Sequence, residues 1–165
     1  MKIIVVSDTS PISNLIQVGR LQLLQSLFGH LIVPPYVDKE IQALSEFGYD
    51  LSSYEKAEWV KVRHPKYTDL VKELEEELDS GEAEAIAISK ELEAGLLLID
   101  ERIGTQKANS LGLKTMGLLG CLLECKQRGI LEQIKPIVEE LEQRAGFFVG
   151  VKLKKLVYRL ANEET

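Results

Sequence analysis

The chain has 165 residues, enough for one domain with a sizeable core, and its 45% hydrophobic and 28% charged residues are an ordinary globular balance. No apolar run approaches the roughly 20 residues of a membrane-spanning helix, and the N-terminal apolar stretch is too short for a signal peptide. We therefore expect a soluble, cytoplasmic protein. The net charge of -6 counts mildly against nucleic-acid binding, although a site built from carboxylates would itself be acidic.

The first half of the chain alternates short apolar runs, which predict strands, with segments of helical spacing. Ile3 to Ser7 is nearly continuously apolar and β-branched, as in strands buried on both faces of a parallel sheet. Pro11 then suits the first turn of a helix that Thr9 or Ser10 would cap. The further elements predicted here are helical spacing up to Gly29 with a break at Gly19, a strand at 31–33, a helix at 37–44, an edge strand at 59–62 and a charged helix at 67–78.

The second half continues this alternation. A helix at 82–93 follows Asp79-Ser80-Gly81, and a third buried strand, Leu96 to Ile99, ends at Asp100. The remaining predicted elements are a short helix at 107–111, a strand at 114–116, and helices at 118–128, 131–144 and 151–160. This order predicts an α/β fold, a three-layer α/β/α sandwich with a mostly parallel central sheet of four to five strands. We expect one domain over 1–145 and a helical extension over 146–165 that packs on the domain or on a partner.

The two cysteines do not indicate a disulfide or a zinc site. Cys121 and Cys125 are four residues apart in a helical pattern, where side chains on one face do not usually bridge. His30 and His64 do not complete a zinc-binding pattern with them. We expect both thiols to be reduced and buried.

Acidic residues stand where an open parallel sheet binds ligands, beyond the carboxyl ends of its strands. Asp8 follows the first predicted strand and Asp100 follows the third, while Glu40, Glu82 and Glu84 lie in early turns of predicted helices. Each glutamate alone is explained by the helix dipole or a solvated face, and Asp8 could simply cap a helix. Together they predict a carboxylate cluster, whose mutual repulsion a divalent cation would offset.

Four segments, in this order, resemble the motifs of PIN-domain nucleases. Ser7-Asp8-Thr9-Ser10-Pro11 resembles their opening motif, Gly81-Glu82-Ala83-Glu84-Ala85-Ile86-Ala87 their central acidic helix, and Leu98-Ile99-Asp100-Glu101-Arg102 their third acidic element. Residues 116–120 and 129–131 resemble the segment that follows in a prokaryotic PIN subgroup of predicted nucleic-acid-binding proteins, related to the toxin ribonucleases. The resemblance covers the chain from Ile3 to Leu131.

The resemblance implies a metal-dependent phosphodiesterase, and more narrowly an endoribonuclease that uses Mg²⁺ or Mn²⁺ to hydrolyse RNA, with single-stranded DNA as a second substrate to test. The implied catalytic residues are Asp8, Glu40, Glu82, Glu84 and Asp100. The implied metal ligands are Asp8, Glu40, Glu84 and Asp100, with Glu82 beside or instead of Glu84. We expect Thr9, Ser10 and Glu101 to support the ligands. Arg102 and Lys107 are the expected nucleic-acid contacts, since Thr105 stands where related sequences would carry an arginine.

Two partners fit the resemblance: a second copy of the chain in a homodimer, and a small antitoxin, with this chain as the toxin of the pair. The main alternative is a catalytically weak or inactive nucleic-acid-binding or regulatory module with the same fold. A haloacid-dehalogenase-like phosphatase would need a second aspartate two residues after Asp8, where Ser10 stands. A receiver domain would need an acidic pair at the end of the first strand, which the sequence lacks.

Overall fold

The computed structural model describes residues 3–164, and within this range five short strands form one sheet in the order β3-β2-β1-β4-β5. The strands are β1 (Val5–Ser7), β2 (Leu31–Val33), β3 (Val60–Val62), β4 (Leu96–Leu98) and β5 (Thr115–Met116). Neighbouring strands pair in parallel throughout, with Val6 opposite both Ile32 and Leu97. The predicted parallel α/β sheet is confirmed, and β3 is the predicted edge strand.

Helices connect the strands and cover both faces of the sheet. They are α1 (Thr9–Gln17), α2 (Gln22–Phe28), α3 (Pro35–Gln42), α4 (Ser52–Glu55), α5 (Thr68–Leu74), α6 (Ser80–Glu91), α7 (Arg102–Ser110), α8 (Leu118–Gln127), α9 (Lys135–Arg144) and α10 (Val151–Leu160). A 3₁₀ turn (Ala43–Phe47) follows α3. None of the helices in the described range is long and apolar enough to cross a membrane.

Most helices begin within two residues of the predicted position, but α7 and α9 begin further away from it. Helix α7 begins earlier, at Arg102, because the Glu101 carboxylate caps it by accepting the backbone N–H of Gly104 at 2.8 Å. Helix α9 begins later, at Lys135, with Pro136 in its first turn, where the fixed backbone angle of proline is favourable. The local pattern of apolar residues therefore located these helices but not their first turns.

Alternating side chains of the central strands build two separate cores. Val5, Leu96 and Leu98 pack on one face of the sheet, with residues of α1, α2, α3, α8, α9 and α10. Val6 and Leu97 pack on the other face, with residues of α5, α6 and α7. Because successive strand residues point to opposite faces, fully apolar strands need helices on both sides. This confirms the three-layer arrangement.

The C-terminal helix α10 packs on the rest of the domain. Val157 and Ala161 are buried in the first core. The Glu163 carboxylate, just beyond the helix, accepts the backbone N–H groups of Ile134 and Lys135 at 2.8 and 2.9 Å. The outer face of α10 exposes three leucines: Leu153, Leu156 and Leu160.

Both cysteines are buried free thiols on α8, as predicted. Burial raises the pKa of Cys121 to about 12 and that of Cys125 to about 11. These thiols are therefore protonated at neutral pH and serve as small apolar core residues.

Candidate active site

A cavity of about 390 Å³ lies beyond the C-terminal ends of β1 and β4, which are neighbours in the sheet. The register places Ser7 opposite Leu98, so the chain leaves both strands side by side towards the same cavity. Residues from four segments line it: Asp8, Thr9, Ser10, Ser13, Glu40, Asp79, Glu82, Asp100 and Glu101. We call this the acidic cavity.

Asp8 stands between β1 and α1 without acting as a helix cap through its side chain. Its backbone occupies the N-cap position, so α1 starts at Thr9, and the predicted caps Thr9 and Ser10 lie inside the helix. The Asp8 side chain accepts no capping hydrogen bond and is only 6% exposed. Capping therefore does not account for an aspartate at this position.

Burial raises the pKa of four carboxyl groups in the acidic cavity, and repulsion by neighbouring carboxylates adds to the rise for three of them: Asp8, Glu40 and Glu82. Burial is the main cause of the rise of the Asp8 pKa to about 7, with smaller contributions from the carboxylates of Asp79, Glu40 and Asp100. Burial and the neighbouring Asp79 raise the pKa of Glu82 to about 9. Burial likewise raises the pKa of Glu40 and of Asp100. The metal-free cluster thus resists full ionisation, as expected for like charges out of water.

Two carboxylate oxygens in this cluster are buried without a hydrogen-bond partner in the described part of the chain: Glu82 Oε2 and Asp100 Oδ2. The other oxygen of Asp100, Oδ1, accepts the backbone N–H of Leu118 at 2.9 Å, which orients the carboxylate. A buried acceptor without a donor costs about 1–3 kcal/mol. Such oxygens are accounted for by a bound water or by an ion.

Glu40 reaches the acidic cavity from α3. Its Oε1 accepts a hydrogen bond from the Thr9 hydroxyl at 2.9 Å, and this bond opposes the effect of burial on the Glu40 pKa. Ser10 also lines the cavity and accepts a hydrogen bond from Asn14 Nδ2 at 3.1 Å. Thr9 thus holds a predicted ligand in place, whereas the Ser10 hydroxyl contacts Asn14, which is not a predicted ligand.

Asp79 lines the acidic cavity although the sequence pattern did not single it out. Its Oδ1 accepts the backbone N–H of Glu82 at 2.8 Å and so caps α6. A sequence signal for this position exists, because Asp79 precedes Glu82 by the three residues typical of a helix N-terminus. The break after the helix predicted at 67–78 therefore also places a carboxylate at the cavity.

Three glycines make room for the carboxylates. A Cβ atom on any of them would collide with a carboxylate oxygen: Gly81 with Glu40, Gly104 with Glu82, and Gly117 with Asp100. The Cβ would lie 2.8 Å from Glu40 Oε1 at Gly81 and 2.6 Å from Asp100 Oδ1 at Gly117. The same Cβ at Gly81 would also lie 3.5 Å from both Asp8 Oδ1 and Asp79 Oδ1. The backbone around the cavity is thus shaped to admit carboxylates.

Comparison with known proteins agrees with this geometry. The sequence model of a family described as a PIN domain matches residues 4–163. The chain belongs to the PIN-domain family. A PilT N-terminus domain protein from the hyperthermophilic archaeon Sulfolobus solfataricus has a similar structure, with a TM-score of 0.50 and 22% identity over 72% of this chain and 89% of that chain. No curated protein matches the sequence.

PIN domains are typically nucleases, and they usually use divalent metal ions. The family match includes residues 146–163, and so extends over α10. The structural likeness, at its low identity, supports the fold alone. The roles of individual residues in this PIN domain therefore depend on the geometry of the acidic cavity.

Glu84, which the sequence predicts as a metal ligand, does not line the acidic cavity of this PIN domain. Two residues along an α-helix are rotated by about 200°, so the side chains of Glu82 and Glu84 leave α6 in nearly opposite directions. The Glu84 Oε1 atom instead accepts the backbone N–H of Tyr36 at 3.0 Å, at the start of α3. Pro34, the N-cap residue of α3, provides no side-chain hydrogen bond there. The structure therefore places Glu82 among the candidate ligands and Glu84 at a helix end.

The two predicted nucleic-acid contacts differ in position. Arg102 is exposed at the start of α7, directly after Glu101, which lines the acidic cavity. Lys107 forms an ion pair with Glu77 at 3.2 Å and does not line the cavity. Arg102 thus stands at the rim, and Lys107 is engaged elsewhere.

The residues of the acidic cavity fit a divalent cation. All the donors are oxygens, the type that Mg²⁺ and Mn²⁺ prefer, and two of them are buried without a partner. Within residues 3–164, no three acidic, histidine or cysteine side chains already enclose a position for an ion. Ionised carboxylates repel one another, so we expect the side chains to close only around a positive charge.

Proposed function

We propose that this PIN domain is a metal-dependent endoribonuclease that hydrolyses RNA phosphodiester bonds at the acidic cavity. The observation that carries the proposal is the pair of buried oxygens, Glu82 Oε2 and Asp100 Oδ2, without donors beside the buried carboxyl of Asp8. Such a cluster destabilises the fold unless a cation binds it. The proposed ligands of Mg²⁺ or Mn²⁺ are Asp8, Glu40, Glu82 and Asp100.

A divalent cation bound at such a site polarises the phosphodiester and lowers the pKa of water. The chain's own groups prepare the site. The Thr9 hydroxyl fixes one oxygen of Glu40, and the Leu118 amide fixes one oxygen of Asp100, so the other oxygens remain available. Without a cation, Asp8 holds or releases its proton near neutral pH, since its pKa is about 7.

The acidic cavity repels phosphate until a cation offsets part of its negative charge and offers a positive centre to a phosphate oxygen. This explains how a chain with a net charge of -6 can act on a polyanion. Arg102, exposed at the rim, is the proposed contact to the nucleic-acid backbone. The homodimer, the antitoxin partner and the toxin role that the resemblance implies stay predictions.

The test is an RNA cleavage assay in Mg²⁺, Mn²⁺ or EDTA, with single-stranded DNA as a second substrate. We expect wild-type cleavage in Mg²⁺ or Mn²⁺, none in EDTA, and a loss of about 100-fold or more for Asp8→Asn and Asp100→Asn. Glu124→Gln is the matched control, because Glu124 is acidic but lies at the opposite edge of the sheet. It should retain wild-type activity.

Cleavage that survives both EDTA and Asp8→Asn would refute the proposal. RNA binding without any cleavage would instead favour the alternative of an inactive nucleic-acid-binding module. Cleavage of DNA alone would keep the metal site and change the substrate.

A further inference from the structure

Tyr36 presents an aromatic ring to solvent next to the acidic cavity. Tyr36 lies in the first turn of α3, is 40% exposed, and is not part of the cavity lining. Residues four apart on a helix lie on the same face, so Tyr36 and Glu40 are neighbours along α3. Because Glu40 lines the cavity, the tyrosine stands one helical turn away at its rim.

The backbone beneath this ring is held in place. The Tyr36 N–H donates to Glu84 Oε1 at 3.0 Å, and two prolines, Pro34 and Pro35, restrict the chain just before it. The next residue, Val37, is fully buried. An exposed aromatic residue on a fixed backbone loses little entropy when a ligand stacks on it.

A positively charged side chain, that of Arg63, follows a strand at the same end of the sheet as Tyr36. Arg63 follows β3, is exposed, and its backbone N–H donates to Val33 O at 2.9 Å, just before Pro34. The segments that leave β3, β2, β1 and β4 thus place Arg63, Tyr36, Asp8 and Arg102 in order along one edge. With neighbouring strands about 4.8 Å apart, the strand ends span about 14 Å.

We propose that Tyr36 is a base-stacking platform for single-stranded RNA and that Arg63 binds the backbone of the same strand, a proposal that rests on the proposed function. A ring face is accessible only to unpaired bases, because the bases of a duplex are already stacked. Stacking also suits an acidic protein, since it adds affinity that does not depend on net charge. The ring of Tyr36 would therefore discriminate between an unpaired strand and a duplex.

The test measures binding of a fluorescein-labelled short single-stranded RNA and of its duplex by anisotropy, at low salt, with Ca²⁺ in place of Mg²⁺ or Mn²⁺ as the divalent cation. Tyr36→Ala should weaken single-strand binding by about 5- to 100-fold and leave duplex binding unchanged, while Tyr36→Phe should retain binding. Both variants keep the contact to Glu84, because it uses the backbone N–H. In Mn²⁺, Tyr36→Ala should raise KM for the single strand more than it lowers kcat.

Tyr67→Ala is the matched control. Tyr67 is 54% exposed, but its N–H donates to Glu91 at the other end of α6 from the acidic cavity. It should bind RNA like the wild type. Arg63→Gln should weaken binding to every RNA sequence and reduce the salt dependence by about one phosphate contact.

The outcomes separate the two proposals. If the wild type neither binds nor cuts RNA, the proposed function fails and the stacking proposal falls with it. If the wild type cuts RNA but Tyr36→Ala matches it in both binding and KM, stacking alone is overturned. Equal losses in Tyr36→Phe and Tyr36→Ala, or in Tyr67→Ala, would overturn it as well.

Discussion

The sheet has one cavity at each end of its strands, and the two cavities are similar in size but opposite in chemistry. The acidic cavity at the C-terminal ends of the strands has a volume of about 390 Å³, and a second cavity at the N-terminal ends has about 450 Å³. The second, which we call the apolar cavity, has mostly apolar walls: Ile3, Val5, Leu27, Phe28, Leu96 and Met116. The larger of these two cavities is therefore the one without the candidate catalytic carboxylates.

The charged groups at the two edges are satisfied differently. At the apolar cavity, Arg128 Nε pairs with Glu124 at 3.1 Å and its Nη1 donates to the Leu27 carbonyl at 2.9 Å. In the acidic cavity, oxygens of Glu82 and Asp100 are buried without donors. A buried polar atom without a partner is costly, so these oxygens mark the end of the sheet at which a ligand is expected.

The largest expected effect on RNA cleavage comes from two glycines on either side of the first turn of α8, one near each cavity. A Cβ on Gly117 would lie 2.6 Å from Asp100 Oδ1, whereas one on Gly120 would lie 2.9 Å from Cγ of Met116, a flexible side chain at the apolar cavity. We expect Gly117→Ala to lower RNA cleavage by about 100-fold, because it displaces a proposed ligand. Gly120→Ala should retain cleavage. Initial rates in Mn²⁺, with thermal unfolding of both variants, check this, and equal losses would contradict it.

The second-largest expected effect is on the pH dependence of metal binding, which should change with a substitution in the acidic cavity and not with one at the apolar cavity. Because a carboxyl group must lose its proton to bind a metal, Mn²⁺ affinity should rise with pH, and Asp8, with its pKa of about 7, should contribute up to about tenfold per pH unit below that pH. Isothermal titration at several pH values measures the slope. Glu124→Gln should keep the same slope, and Asp8→Asn should reduce it but not abolish it, because Glu82, with its pKa of about 9, also loses a proton. An unchanged slope in Asp8→Asn would assign the proton to other groups.

Without metal, the acidic cavity should destabilise the fold as pH rises. The Asp8 pKa is about 7 in the folded chain against 3.8 ordinarily, so between these values the folded state holds a proton that the unfolded state has lost. Stability therefore falls as pH rises through this window, and Glu82, with its pKa of about 9, extends the fall to higher pH. Asp8→Asn should stabilise the metal-free chain at pH 8 by roughly 1–3 kcal/mol. Urea unfolding in EDTA at pH 5 and pH 8 tests this, and a variant less stable at both would contradict it.

The smallest expected effect separates two glutamates of one motif. Glu84→Ala should cost about 0.5–2 kcal/mol of stability, because the N-terminus of α3 loses its acceptor for the Tyr36 N–H. Glu84→Gln should retain most of that stability, since its amide oxygen can still accept. Glu82→Gln is the matched comparison and should lose RNA cleavage without losing stability. Denaturant unfolding and cleavage rates would show the reverse pattern if Glu84 were the ligand.

The sequence by itself determined the sheet and part of the site. Strands with no polar face, such as Leu96 to Leu98, are stable only when covered on both sides, so their apolar runs predicted parallel strands between helices. Asp8 and Asp100 could be placed at one edge for the same reason, because each directly follows such a strand. Periodicity carries this information locally, within each segment.

Only the tertiary structure decided which further side chains meet these two aspartates. Glu82 and Glu84 have the same chemistry in the sequence, and the rotation of α6 about its axis brings one to the acidic cavity and the other to α3. Asp79 and Glu40 join Asp8 because the N-terminus of α6 and the middle of α3 approach the end of β1, with Gly81 leaving space between them. Helix rotation and the packing of distant segments result from contacts across the whole core, and no local pattern of residues encodes them.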